Sequence, residues 1–217
     1  AALQGLYGVN EVVDAYKEGD ADFHSIVADM AEIPRTQAKT INLGLFYGMG
    51  KNKLQAELGV SKDKADELFK KYHHRVPFVK QLMDNVMYRA QDSGRIRTLL
   101  GRACRFPLWE PNQFGIHKAL SHEDALREHG PGIKRAYTYK ALNRLIQGSA
   151  ADMTKKAMLE LYKEGIIPHI QVHDELDISV KDDIMAAKIK KIMEGAVTLE
   201  VPNKIDYECG TNWGNIK

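Results

Sequence analysis

The sequence predicts a mixed α/β (α+β) chain that is mostly helical and carries a short antiparallel hairpin near its carboxyl end. Two observations support this prediction. Residues 34–50 begin with a proline suited to a first helical turn and end in glycines, a pattern typical of a helix. In residues 170–180 apolar and polar side chains mostly alternate, which indicates a half-buried strand or a tight hairpin.

The intervening elements follow from capping residues and spacing. Ser61 is placed to cap a helix over residues 62–72, and Pro77 is placed to begin the next one. Gly94 and Gly101 bracket a short strand-like stretch. The remaining predicted elements are, in chain order, a loop over 107–131 with a short helix near 122–127, a long helix over 133–163, the hairpin, a helix over 182–196 and a last strand over 205–209.

Composition sets limits without identifying a function. A hydrophobic content of 44% in 217 residues is enough for one domain or two small ones. The formal net charge is only +2, so any basic surface must be local. Two cysteines are too few for a disulfide framework, which favours a reduced, cytoplasmic compartment. The sequence contains no apolar run long enough to span a bilayer.

Residues 34–50 carry a ridge suited to phosphates and a base. Arg35, Lys39, Leu43 and Tyr47 are four residues apart, so they follow one side of an α-helix. Arginine offers a planar fork to phosphate oxygens, lysine a compact charge and tyrosine a flat ring. The alternative is a solvated basic face with Tyr47 in the core, and this segment alone leaves both open.

Two adjacent carboxylates interrupt the alternating run. Asp174 falls on the apolar positions, and Glu175 follows it. An unpaired buried carboxylate is costly, so Asp174 is expected at a turn or beside a cation. Hard oxygen ligands of this kind suit Mg²⁺, whereas the bland interpretation is a polar hairpin tip.

Together these segments resemble family A DNA polymerases, the group that contains bacterial DNA polymerase I and the phage replicases. Arg35, Lys39 and Tyr47 with Gly48 match the family's nucleotide-binding fingers helix. Residues 172–175 resemble its palm motif, and residues 143–152 resemble a palm helix whose Asn and Gln reach the DNA minor groove. Three motifs in the right order make chance agreement improbable.

The resemblance implies a role for each matched position. Lys39 would contact the reacting phosphate, Tyr47 would control the template base, and Asp174 would bind the catalytic metals with Glu175 in support. Asp22-Phe23-His24 is similar to the family's Asp-Ile-His, whose histidine meets the triphosphate. The expected sets are: catalytic, Asp174, Glu175 and Lys39; nucleotide-binding, Arg35, Lys39, Leu43, Tyr47 and His24; DNA-binding, His173, Asn143, Gln147, Arg97 and Arg102; metal, Asp174.

Two further clusters have weaker interpretations. Arginines at 95, 97, 102 and 105 surround glycine turns and suit a DNA backbone, although a solvated surface explains each equally well. The histidines at 117, 122 and 129 match no tight zinc-ligand spacing, so unliganded loop histidines are the preferred interpretation.

Two departures from the family pattern matter. The family's second metal-binding Asp lies in an Asp-Tyr-Ser-Gln-Ile-Glu strand, which does not occur here. We therefore expect a carboxyl-terminal piece of a polymerase that uses two Mg²⁺ ions, dNTPs and primer-template DNA, and that needs an N-terminal fragment carrying the thumb and the first half of the palm. Leu43 stands where the family usually has an aromatic residue, so stacking on the nucleotide should weaken.

The resemblance also implies an organisation: fingers over 1–133 and the carboxyl-terminal part of the palm over 134–217, in the cytoplasm of a bacterium or phage-infected host. Two rival functions remain. A nonenzymatic DNA-binding replication accessory protein would not depend on Asp174. A metal-dependent hydrolase using Asp174 and Glu175 would have no need for the Arg35–Tyr47 ridge.

Overall fold

The structure is a computed structural model, and its described residues divide into two compact units. The first unit is formed by residues 2–149 and the second by residues 150–217. The described residues are 13–14, 17, 24–25, 28, 33–46, 49–75, 77–113, 115 and 117–215.

Four helices with described bounds open the first unit: α1 (Arg35–Phe46), α2 (Lys51–Leu58), α3 (Lys62–Arg75) and α4 (Pro77–Ser93). The predicted cap is confirmed, because the Ser61 hydroxyl accepts a hydrogen bond from the Lys64 amide at 3.2 Å. The helix predicted in this segment is present as α1, although it does not extend to residue 50. Gly50 is extended, with φ −80° and ψ 165°, and α2 begins directly after it.

One apolar cluster fixes the orientation of α1. Its buried members are Ile41, Leu45, Leu54, Leu68 and Val79, contributed by all four helices. Fully burying an aliphatic side chain stabilises the fold by roughly 1.5–3 kcal/mol. Rotating α1 would expose Ile41 and Leu45 together, so this cluster decides which face of the helix meets solvent.

Two short antiparallel ladders follow α4. Strand β1 (Arg95–Arg97) pairs with β2 (Ala103–Arg105), with Ile96 opposite Cys104. Ile96 is buried while both arginines of β1 are exposed, which confirms the predicted alternation over these three residues. The strand ends at Arg97 and does not continue to residue 100, because the chain turns there. Gly101 adopts a φ of +88°, which favours glycine.

The segment expected to be a loop with one short helix is more regular than that. Strand β3 (Trp109–Pro111) pairs with β4 (Ile133–Arg135), and the predicted helix is present as α5 (His122–His129). The Ser121 hydroxyl caps α5 by accepting from the Asp124 amide at 3.1 Å. The Arg135 guanidinium lies 4.5 Å from the centre of the Trp109 ring. This cation–π contact adds a side-chain link between β3 and β4.

The long helix predicted from residue 133 begins later. Residues 133–135 form β4, Tyr137 takes a left-handed φ of +61°, and a 3₁₀ turn covers Thr138–Lys140. Only then does α6 (Ala141–Lys163) start. A left-handed residue cannot continue a right-handed helix, which explains the break. Ala141 and Leu142 are buried with Phe106 and Ile96 in a second apolar cluster.

The second unit contains the rest of α6, a hairpin and a last helix. Strand β5 (Ile170–Val172) pairs antiparallel with β6 (Glu175–Asp177), which confirms the predicted hairpin. Helix α7 (Asp183–Gly195) is capped by the Asp182 carboxylate, which accepts from the Met185 amide at 2.7 Å. A third apolar cluster is formed by Leu161, Ile166 and Ile189. Leu176 of β6 packs against it, so the cluster joins these elements.

The last strand predicted over residues 205–209 is wrong. A strand needs a neighbour for its backbone hydrogen bonds, and no strand pairs with this segment among the described residues. The Ile205 amide instead donates to the Glu194 carboxylate at 3.1 Å.

Both cysteines, Cys104 and Cys209, are free thiols. Among the described residues, no helix is both long enough and apolar enough to cross a membrane.

The stability of the first unit should depend on the protonation of His73. This partly buried residue packs edge-on against Phe69, with ring centres 4.4 Å apart. Burial lowers the pKa of His73 below its usual 6.5, Lys80 lowers the pKa further, and Asp84 opposes them. A lowered folded-state pKa means that stability is present above 6.5 and is lost as the pH falls through the folded value.

We therefore expect urea unfolding to show a larger loss of stability between about pH 7.5 and about pH 5.5 in the wild type than in His73→Phe. His74→Gln, which changes the exposed neighbouring histidine, is the matched control and should behave as the wild type does. Equal losses in the wild type and His73→Phe would contradict the prediction.

Candidate functional site

Helix α1 presents two cations to solvent on one side. Arg35 and Lys39 are exposed and four residues apart, while Ala38, Ile41 and Leu45 are buried on the other side. Residues spaced by four lie about one helical turn apart, so both charges can reach the phosphates of one ligand. The cationic pair predicted from the sequence is therefore displayed by a helix whose opposite side is fixed in a core.

The other two members of the predicted ridge are described less fully. Leu43 lies within α1, but its side chain is outside the described part of the structure. Tyr47 lies outside the described residues.

A hydrogen bond joins His24 to the buried side of α1. The amide nitrogen of Asn42 lies 3.2 Å from Nδ1 of His24, and Asn42 is only 2% exposed. An amide NH₂ group can only donate, so Nδ1 accepts and the hydrogen of a neutral imidazole is on Nε2. The same helix thus carries Arg35 and Lys39 and sets the tautomer of His24.

The two carboxylates lie at the tip of the β5–β6 hairpin. His173 and Asp174 form its two-residue turn, and Glu175 is the first residue of β6. His173 has a φ of +54°, which lies in the left-handed region, whereas Asp174 does not have a positive φ. A bulky residue in the left-handed region is strained, and such strain is often kept at functional sites.

The hairpin exposes oxygen ligands but does not by itself complete a metal site. Asp174 and Glu175 are both exposed, so neither requires a buried counter-ion. Within the described ranges, no three His, Cys, Asp or Glu side chains are grouped so as to hold a metal ion. The histidines at 117, 122 and 129 are within these ranges, so they are not part of such a group.

Two amides share a ridge of α6 in the first unit. Asn143 is partly buried, Gln147 is exposed, and the two are four residues apart. The turn between β1 and β2 is tied to this part of the helix, because the Arg102 guanidinium donates to the Gly148 carbonyl at 2.9 Å. The Ser149 hydroxyl accepts from the Leu99 amide at 2.9 Å. We call the turn between β1 and β2 the arginine turn, and the ridge of Asn143 and Gln147 the amide ridge. The structure thus holds the arginine turn against the same part of α6 that carries the amide ridge.

The predicted DNA-binding arginines also have structural contacts. Arg97 donates to the Gly101 carbonyl at 2.8 Å, and Arg102 contacts Gly148. A guanidinium has five N–H donors, so a bond to one carbonyl does not by itself exclude a contact with a phosphate. The two side chains are exposed and lie in or beside the same turn.

Sequence reasoning missed Asn42 and Gly148. A Cβ atom at Gly148 would lie 3.0 Å from the Thr98 methyl carbon and 3.1 Å from Nη2 of Arg102. The need for a glycine at position 148 comes from the close approach of the β1–β2 turn, which is distant in the sequence. Asn42 has a local signal, since it is a polar residue on the apolar side of α1 and so calls for a buried partner.

Comparison with known proteins identifies the family. The sequence profile of DNA polymerase family A matches residues 5–215. The chain belongs to DNA polymerase family A. Its fold agrees, because it superimposes on the polymerase domain of M. smegmatis Pol1, solved with a DNA primer-template and dNTP, with a TM-score of 0.70 and 27% identity over 93% of this chain and 36% of that one.

Curated relatives of this family A chain include viral and bacterial enzymes. A DNA-directed DNA polymerase of Pseudomonas phage M6 is 34% identical over 94% of this chain and 33% of its own length. DNA polymerase I of Geobacillus stearothermophilus is 33% identical over 90% of this chain and 21% of its own length. The chain therefore spans a third or less of these two relatives.

The tautomer of His24 provides a direct check on the α1 geometry. We expect ¹⁵N NMR at a pH where the ring is neutral to show the Nε2–H tautomer in the wild type. Asn42→Ala removes the donor and should allow a mixture of tautomers. His169, which contacts the Ser179 hydroxyl at 3.0 Å in the other unit, is the internal control. An Nδ1–H tautomer in the wild type would rule out donation from the Asn42 amide nitrogen to Nδ1.

Proposed function

We propose that this chain is the fingers and carboxyl-terminal palm part of a DNA-directed DNA polymerase, which adds deoxynucleotides to a primer 3′ end. The observation that supports this most is the exposed pair Arg35 and Lys39 on a helix whose back is buried. Nucleotidyl transfer needs a rigid cationic surface for a triphosphate, and α1 supplies one. The solved M. smegmatis neighbour holds primer-template DNA and dNTP.

The nucleotide would lie along α1. Arg35 binds phosphate oxygens through its planar fork, and Lys39 places a compact charge at the phosphoryl group that reacts. His24 donates its Nε2 hydrogen to a third phosphate oxygen, held in that tautomer by Asn42. Leu43 supports the base with an aliphatic surface, and Tyr47 controls the template base.

Asp174 would be the metal ligand from this chain. Its carboxylate is exposed at a hairpin tip, and oxygen ligands of this type fit Mg²⁺. The chemistry supplied by two bound Mg²⁺ ions is activation of the primer hydroxyl and neutralisation of charge on the leaving pyrophosphate. Glu175, the next residue, supports the primer end or the outer shell of ligands. The primer oxygen bonds to the α-phosphorus as the bond to pyrophosphate breaks.

The DNA would be contacted by the amides, arginines and histidine that the sequence singles out. Asn143 and Gln147 donate to minor-groove acceptors that all correct base pairs share, which lets the protein sense pairing without reading sequence. Arg97 and Arg102 bind the backbone phosphates, and His173 lies near the primer end. These contacts predict a salt-dependent affinity.

The remaining ligands would come from an N-terminal portion of the polymerase. The family's Asp-Tyr-Ser-Gln-Ile-Glu strand does not occur in this sequence, and the chain spans 33% of the phage relative. We propose that residues 1–133 form the fingers, that residues 134–217 form the second part of the palm, and that the chain is inactive without that partner.

The test is templated primer extension with Mg²⁺ by the chain alone, by the chain mixed with a fragment that carries the missing Asp strand, and by the same mixture bearing Asp174→Asn. This substitution keeps the shape of the side chain and removes its charge. We expect extension only in the unmutated mixture, and a loss of at least about a hundredfold in Asp174→Asn, because no other ligand replaces the charge.

Asp177→Asn, three residues further along the same hairpin, is the matched control and should retain extension. Normal extension by the chain alone would refute the need for a partner. A mixture that assembles and binds DNA but never extends a primer would favour a nonenzymatic accessory role.

A further inference from the structure

Two exposed tyrosines flank a lysine just before α6. Tyr137 is 37% exposed and Tyr139 is 58% exposed. The ammonium nitrogen of Lys140 lies 5.3 Å from the centre of the Tyr137 ring and 5.5 Å from that of Tyr139. We call these three residues the aromatic platform. Flat rings beside a cation can contact a ring and a phosphate of one ligand.

The backbone of the platform is fixed at both ends. Ala136, immediately before it, is buried and donates its amide to the Leu108 carbonyl at 2.8 Å. Ala141 and Leu142, immediately after it, are buried in the second apolar cluster. Within the turn, the Lys140 amide donates to the Tyr137 carbonyl at 3.0 Å. The rings are therefore carried by an ordered turn.

Tyr137 is also held in an unfavourable conformation. Its φ is +61° and its ψ is 14°, a left-handed geometry that a bulky aromatic residue rarely adopts. A glycine or asparagine would fit this position with less strain. A ring retained there despite the strain suggests a use for the ring itself.

The platform immediately precedes the amide ridge of α6, formed by Asn143 and Gln147. Tyr139 precedes Asn143 by four residues and Gln147 by eight, and its 3₁₀ turn leads directly into the helix. Lys140 precedes Arg144 by four, but the Arg144 guanidinium lies 4.8 Å from the centre of the Phe106 ring and donates to the Arg105 carbonyl at 3.2 Å. Lys140 is therefore the more accessible cation beside the ridge.

We propose that the aromatic platform is a binding site for a single-stranded stretch of DNA. Tyr139 stacks on an unpaired base, Tyr137 supports the same or the next base, and Lys140 binds a backbone phosphate. A tyrosine ring can stack on a base only where the face of that base is not covered by a neighbour, which selects single strands over the interior of a duplex. This proposal rests on the proposed function, since it assigns a second DNA contact to the same protein.

A photocrosslink on the unmodified chain tests the contact directly. Single-stranded DNA carrying 5-iododeoxyuridine joins covalently to an aromatic ring stacked on the modified base. Trypsin cleaves after Arg135 and Lys140, so the platform is released as one peptide that contains both tyrosines. We expect that peptide to carry the crosslink. Crosslinks confined to other peptides, or none at all, would overturn the proposal.

Fluorescence anisotropy then separates stacking from charge. Tyr139→Leu should weaken single-strand binding about tenfold, whereas Tyr139→Phe, which keeps the flat ring, should not. Lys140→Gln should lower the slope of log affinity against log salt by about 0.7. Tyr162→Leu changes a tyrosine that is 66% exposed further along α6 and is the matched control. Circular dichroism checks that each variant folds.

The outcomes distinguish this proposal from the proposed function. Unchanged binding in Tyr139→Leu, together with primer extension by the assembled wild type, overturns the platform alone. An equal loss of single-strand and blunt-duplex binding in Tyr139→Leu also overturns it, because stacking on unpaired bases requires a difference. No single-strand binding by the wild type overturns the platform whatever the extension assay shows.

Discussion

Burial of one side of α1 is the constraint on which the candidate nucleotide site depends. Ala38, Ile41 and Leu45 are 0–2% exposed, so the helix cannot rotate without uncovering them. Their burial leaves Arg35 and Lys39 in solvent and keeps the two charges one turn apart. Holding charged groups in place before a ligand arrives removes a cost that a flexible surface would incur on binding. The first apolar cluster thus holds Arg35 and Lys39 in position on the surface of α1.

The start of α6 is likewise held in position, here by apolar burial together with hydrogen bonds. Ala141 and Leu142 anchor the first turn in a core, and Arg102 and Ser149 tie the arginine turn to the helix. A glycine at position 148 permits this close approach. The hairpin of the second unit is different, because its carboxylates are exposed at a strained turn.

The sequence predicted those features that depend on local chemistry. The cap at Ser61, the strand between Gly94 and Gly101 and the hairpin around Asp174 all follow from nearby residues. Features that depend on distant partners were not predicted. The start of α6 depends on the pairing of β4 with β3, and the Asn42 contact depends on a histidine 18 residues away. A strand over 205–209 was expected from its pattern alone, but a strand also needs a neighbour.

The most direct test of the account is the affinity of the isolated chain for a magnesium-bound deoxynucleotide, measured by calorimetry for the wild type, Lys39→Gln and Lys53→Gln. Lys53 is exposed on α2 and is the matched control. The account predicts that Lys39→Gln weakens binding by at least about tenfold, the size of a lost charge-assisted hydrogen bond, while Lys53→Gln changes little. Equal affinities for the wild type and Lys39→Gln would contradict the claim that α1 is the phosphate-binding surface.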